Sequence, residues 1–149
     1  MRAVVQRVRS ARVSVDEEIV CEMGAGLLAL VGVGRNDTQD SADELARRIV
    51  HLRIFDDDRG RLNRALLDTG GTLGLVSQFT LYGDARHGRR PSFVEASPAE
   101  QAEPLIDVVA ERARALGARV VTGRFRAAME VSLVNSGPVT ILLDTERAF

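Results

Sequence analysis

The apolar run Leu27–Val33 constrains this chain more than any other feature, because it contains no polar or charged side chain. A strand with one wet face alternates apolar and polar residues, whereas an unbroken run of this length fits a fully buried strand. It is also far short of the ~20 residues that span a membrane as a helix. A chain of 149 residues can cover such a strand, since a domain of this size buries roughly two thirds of its unfolded surface. No repeat, linker or low-complexity tract divides the sequence, so residues 1–149 are expected to form one domain.

Residues 2–15 show patchy period-two patterning: Val4, Gln6 and Val8 alternate with other residues, and Val13 and Val15 follow. This predicts one or two half-buried strands, with a short strand near Ile19–Met23 beside them. Ala42, Leu45, Ala46, Ile49 and Val50 keep helical spacing. Thr38, Asp40 or Ser41 can cap that helix, and Ser41 with Glu44 has the spacing of a capping box. His51–Phe55 is expected to return as a short strand and Asp56–Gly60 to turn. Leu73–Leu81 reads as a strand, followed by an arginine-rich loop from Ala85 to Ser97. The second helix has Ser97 as cap with Pro98 at its first position, or starts at Pro104. Its apolar face is Leu105, Ile106, Val109, Ala110, Ala113 and Leu116, and Gly117 ends it. Strands at Arg119–Thr122, Met129–Asn135 and Val139–Leu143 complete an α+β domain with a mostly antiparallel or mixed sheet and two helices.

Formal net charge is −1, from 20 basic and 21 acidic residues. Global charge does not advertise nucleic-acid binding, so any RNA contact has to come from local arginine patches. Every basic residue is arginine, whose planar fork suits phosphate, although coding bias explains the absence of lysine more simply. Cys21 is the only cysteine, which excludes an internal disulfide and a thiolate zinc site and fits a reducing cytoplasm. The opening residues carry charge too early for a signal peptide.

Several weak signals have bland explanations. Gly32-Val33-Gly34 lacks the third glycine of a dinucleotide fingerprint and reads as a turn. Asp56-Asp57-Asp58 does not match a calcium loop, and a solvated turn is expected there, with no metal. Ser77, Asp84 and His87 are too close in sequence to fold readily into a triad. Glu22 beside Cys21 would raise the thiol pKa and keep it unreactive.

Two segments remain. In Ser77-Gln78-Phe79-Thr80-Leu81-Tyr82-Gly83-Asp84, polar residues sit at the end of an otherwise apolar strand. Alone, this reads as an edge strand facing water. Val134-Asn135-Ser136-Gly137-Pro138-Val139-Thr140 lies between two strands and reads first as a hairpin turn.

Together these motifs closely resemble the D-aminoacyl-tRNA deacylase family. The resemblance extends over Met1–Val8, Gly26–Gly34, Arg89-Arg90-Pro91-Ser92-Phe93 and Met129–Asp144. Ser77 and Phe79, with Asn135–Thr140, favour the D-specific branch over a related animal family. The resemblance implies an enzyme without a cofactor that hydrolyses the ester of D-aminoacyl-tRNA, and also glycyl-tRNA, including glycine mischarged on tRNA(Ala). It implies catalytic roles for Ser77, Gln78, Phe79 and Thr80, with the Phe79 backbone N–H near the scissile carbonyl and the tRNA's own 2′-hydroxyl assisting. It further implies a homodimer, in which Gly137-Pro138 of one subunit, joined by a cis peptide, enters the other subunit's pocket and rejects L-aminoacyl esters. Arg7 is expected at the pocket. Arg86, Arg89 and Arg90 follow the catalytic strand and are expected to meet phosphates near the tRNA acceptor end. Two other readings stay open: a different hydrolase with Thr80 as nucleophile, and a non-catalytic RNA-binding module.

Overall fold

The computed structural model describes residues 1–149. Strand β1 (Arg2–Val15) is one continuous strand, long enough to carry β2 (Glu18–Met23) and β3 (Gly26–Gly32) end to end along one edge. Its buried residues, Ala3, Val5, Val8, Ala11 and Val13, skip a step at each side of Val8. The pairing register with β8 (Glu130–Asp144) shifts at the same places. Irregular pairing re-aims side chains between the two faces of a sheet, so the patchy periodicity marks irregularities inside one strand and not two strands.

β6 (Thr72–Ser77) lies parallel to β3, and β7 (Arg119–Thr122) lies parallel to β6. The result is a mixed six-stranded sheet ordered β2-β1-β3-β6-β7, with β8 on the other edge of β1. Helices α1 (Gln39–Val50) and α3 (Ala99–Ala115) cover one face, where Leu27, Ala29, Val31, Leu73 and Leu75 join the main core. Leu28 and Val76 point to the opposite face and pack with Val8, Ala11 and Val13. Both faces of β3 are covered, which explains why its sequence lacks alternation. No helix is long and apolar enough to cross a membrane.

Several boundaries differ from the sequence expectations. Thr38 is the N-cap of α1, and its backbone N–H donates to Ser41 Oγ at 3.1 Å, so Ser41 is the third helical residue and not the start of a box with Glu44. His51 caps the end of α1, and only Phe55–Asp56 (β4) is extended, paired with β5 (Leu62–Arg64) in a separate small sheet. Asp57 holds the turn between them, accepting from the Arg59 and Arg61 amides and from Asn63. These bonds hold its carboxyl below the usual carboxylate range. A third helix, α2 (Leu66–Thr69), is a single turn without useful periodicity. Pro98 is the cap of α3, and Pro104 sits inside it. Proline there forfeits one helical hydrogen bond, but burial of Ala102, Ile106, Val109, Ala110 and Ala113 carries the helix through.

The molecule departs furthest from its sequence pattern at Met129–Leu143. It is not two strands joined by a hairpin turn: β8 runs antiparallel to β1 from Glu130 to Asp144. Gln6 pairs with Thr140 and Val8 with Asn135, so Ser136–Val139 bulge out opposite Arg7 alone.

Candidate active site

β6 ends where its neighbours end. The Gln78 amide still donates to Val31 O at 2.7 Å, but β3 stops at Gly32, and beyond β7 the Gly123 amide bonds back to Leu75 O. With no strand left to pair with, Phe79–Tyr82 closes into a 3-10 helix, not the strand continuation expected through Leu81. Its first amides, those of Phe79 and Thr80, have no acceptor within the helix.

This helix is held from behind. Tyr82 is buried, and its hydroxyl donates to Asp37, which also accepts from the Gly34 amide and the Met1 ammonium. The Arg2 guanidinium lies 4.5 Å from the centre of the Tyr82 ring and donates to Leu81 O. Burial, and then the Asp37 carboxylate, push the Tyr82 phenol above its ordinary pKa, so it stays protonated and donating. A Cβ at Gly34 would come within 2.8 Å of the Tyr82 ring. Gly34 therefore makes room for this helix and serves no phosphate loop.

Ser77, Gln78, Phe79 and Thr80 all line one cavity of about 420 Å³. Val31, Ile106, Phe125 and Met129 form much of its apolar wall. No histidine, cysteine, aspartate or glutamate lines it, so the protein offers no acid–base pair there. The Phe79 ring is largely exposed and meets Phe93 edge-on at 5.2 Å. Phe125, Ala102 and Ile106 carried no sequence signal for the site, because they read as ordinary apolar positions.

The second motif is elsewhere. Gly137, Pro138 and Arg7 do not line this cavity. The Gly137-Pro138 peptide is cis, and both residues are exposed at the crest of the β8 bulge. Asn135 and Thr140 pin its base: Asn135 Oδ1 accepts from the Val139 amide and its Nδ2 donates to Thr140 Oγ1, both at 3.0 Å. Arg7 stands behind it, donating to Ser136 O and to Ile54 O, each at 3.0 Å, and pairing with Asp56 at 3.3 Å. Gly137 has φ 130°, and a Cβ there would lie 2.8 Å from Val139 Cγ2 and 3.0 Å from Arg7 Nη2. Only glycine fits, and Arg7 supports the bulge instead of lining the pocket of its own chain.

The arginine loop is partly neutralised. Asp84 receives two bonds from the Arg86 side chain, at 2.9 and 2.6 Å. That contact holds the Asp84 carboxyl well below the usual range. Arg89 and Arg90 are exposed and take part in none of the ion pairs of this chain. Asp84 thus has Arg86 as its partner, and His87 is exposed, outside any triad.

The profile of the D-Tyr-tRNA(Tyr) deacylase family matches residues 4–144. The chain belongs to this family. It is 54% identical over 149 residues to the D-aminoacyl-tRNA deacylase of Symbiobacterium thermophilum, covering 100% of this chain and 99% of that protein. It is 58% identical over 145 residues to the D-aminoacyl-tRNA deacylase of a Roseiflexus species, covering 97% of this chain and 94% of the other. Among solved structures, a c-Myc DNA unwinding element binding protein superposes with a TM-score of 0.92 at 38% identity, covering 97% of this chain and 99% of that one.

Proposed function

We propose that this protein hydrolyses the ester bond of D-aminoacyl-tRNA in the cavity at the end of β6, and that Gly137-Pro138 of a second copy screens the amino acid's chirality. Family membership supports the deacylase activity. The observation that carries the mechanism is the convergence of Ser77, Gln78, Phe79 and Thr80 on one cavity that holds no acid–base pair. Thr80 has no base beside it to make it a nucleophile, which disfavours a covalent route. Water attacks instead, assisted by the 2′-hydroxyl of the substrate, while the Phe79 amide stabilises the developing oxyanion. Gln78 and Thr80 position the ester, and the apolar wall takes the terminal adenosine of the acceptor end.

A homodimer accounts for the exposed bulge. Phe79, Phe93, Val94, Val134 and Leu142 are large apolar residues left exposed, and the outer edge of β8 carries no strand. In a two-fold dimer each bulge enters the partner's cavity reciprocally. The Gly137 carbonyl then accepts the substrate ammonium while the Phe79 amide holds the carbonyl end. With those directions fixed, the side chain of one enantiomer points out and that of the other strikes the Gly137-Pro138 wall. A clash rejects the wrong substrate without gripping the right one, so many D side chains are accepted.

The test is amino-acid release from D-tyrosyl-, L-tyrosyl- and glycyl-tRNA. Release is expected from the D-tyrosyl and glycyl esters only, since glycine has no side chain to exclude. Glycyl-tRNA left intact at enzyme levels that clear D-tyrosyl-tRNA would refute exclusion by clash alone. A covalent adduct on Thr80 would favour the other hydrolase reading, and tRNA recovered with its D-amino acid attached would favour a binding module.

A further inference from the structure

The loop between β7 and β8 closes one side of the cavity, and it holds a residue that the catalytic motifs do not explain. Arg126 has φ 63°, a backbone conformation that side-chain-bearing residues rarely adopt. A turn closed by the Ala127 amide on Arg124 O contains it. Glycine would relax this position, yet the chain carries its longest cationic side chain there. Arg126 is also the only charged residue that lines the cavity. Its guanidinium is held loosely, 3.9 Å from Glu100, with the two side chains 68% and 78% exposed. It can therefore leave that partner for a better one.

The terminal adenosine of an aminoacylated RNA has three handles: the base, the ester and the phosphate on its 5′ side. Apolar wall residues suit the base, and Ser77–Thr80 suit the ester. Among the residues that line the cavity, only Arg126 carries the charge to balance the phosphate, and a guanidinium fork matches phosphate oxygens in a bidentate way. Resting on the reading of this cavity as the adenosine site, we propose that Arg126 binds the phosphodiester joining the terminal adenosine to the rest of the tRNA.

The experiment compares D-tyrosyl-tRNA with the D-tyrosyl ester of adenosine, which has no phosphate. For the tRNA, Arg126→Ala is expected to raise KM roughly threefold to tenfold. It should also flatten the log–log salt dependence by about 0.7, the value for one contact to a single strand. The penalty should be absent from the adenosine ester, and Arg126→Lys should restore most of the salt slope. Arg126→Gly should show the same binding penalty while raising Tm by roughly 2–4 °C, as the backbone relaxes. Equal effects on both substrates, or an unchanged salt slope, would overturn the proposal. So would a penalty that follows an acidic D side chain, because Arg126 would then read the amino acid. If the wild type clears D-tyrosyl-tRNA but neither hydrolyses the adenosine ester nor is inhibited by adenosine, the adenosine-site reading itself fails, and this role with it.

Discussion

The two motif segments both interrupt a strand, but in opposite senses. At Ser77 a central strand runs out of partners on both sides and curls into a 3-10 helix, leaving a concave site backed by Tyr82, Asp37 and Arg2. At Ser136 an edge strand keeps its partner and extrudes four residues, leaving a convex crest backed by Arg7 and Asn135. The concave segment is complete in one chain, whereas the crest has nothing in its own chain to enter. A hollow and a separate protrusion, each supported from behind, are what the proposed reciprocal insertion between copies requires. On this reading chemistry belongs to the hollow and selectivity to the crest.

That division breaks most visibly at Phe79. A backbone donor is untouched by ordinary side-chain replacement, so proline is the informative substitution. Gln78 has φ −148° and ψ 89°, which lies outside the α region that a following proline disfavours. Phe79→Pro is expected to lower kcat by roughly 100- to 1,000-fold, the usual loss of one oxyanion donor. Phe79→Ala should be much milder, and equal losses from the two variants would remove the amide from the mechanism.

Gly137→Ala attacks the crest and leaves the hollow intact. The added Cβ meets Val139 and Arg7 at a φ of 130°, and a displacement of about 1 Å at a positioning group costs on the order of 100-fold in rate. Mixed dimers separate the roles of hollow and crest. Neither Phe79→Pro nor Gly137→Ala homodimers should work, but a dimer with one subunit of each kind has one site with both segments intact. Activity regained after co-refolding the two variants supports insertion across subunits. If a Gly137→Ala enzyme keeps full activity and D/L selectivity, the crest has no such role.

Arg7→Ala removes support from beneath the same crest. It deletes donors to Ser136 O and Ile54 O, bonds from a charged group worth about 1.5–3 kcal/mol each at most. The expected result is a lower Tm and a loss of activity of about tenfold, the share of that energy that reaches the crest. Leakage toward L-tyrosyl-tRNA should rise with it. A lower Tm with unchanged D/L selectivity would make Arg7 a fold residue alone.

Much of this arrangement was legible in the sequence, and the gaps have physical causes. The run Leu27–Val33 marked the central strand because burial on both faces leaves no alternation. Helices α1 and α3 are visible through apolar spacing, but the apolar pattern Leu73–Leu81 extends past Ser77, because strand ends are set by the neighbours' length, which no local pattern records. In sequence the crest looks like a hairpin, because glycine and proline mark any reversal, including a bulge within one strand. Arg7 is separated from Ser136 by 129 positions, and only the register of β1 on β8 brings them together. Arg126 gave no signal, because backbone conformation is invisible in composition.

The smallest effect is expected in the exposed arginine loop that follows the short helix of the hollow. Arg86 is already satisfied by Asp84, so replacing it removes little free charge. Arg89 has no such partner and is exposed. Exposed charge pairs contribute only about 0.2–1 kcal/mol, so Arg89→Gln should weaken binding of D-tyrosyl-tRNA by no more than about fivefold at low salt. The more telling readout is the slope: one lost phosphate contact flattens the dependence of log K on log salt by about 0.7 to 0.9. Arg86→Gln should change that slope less than Arg89→Gln does, because its guanidinium would have to leave a carboxylate to reach a phosphate. A larger change for Arg86 would mean that Asp84 releases it when RNA arrives. Unchanged slopes for both would exclude this loop from the tRNA-binding surface.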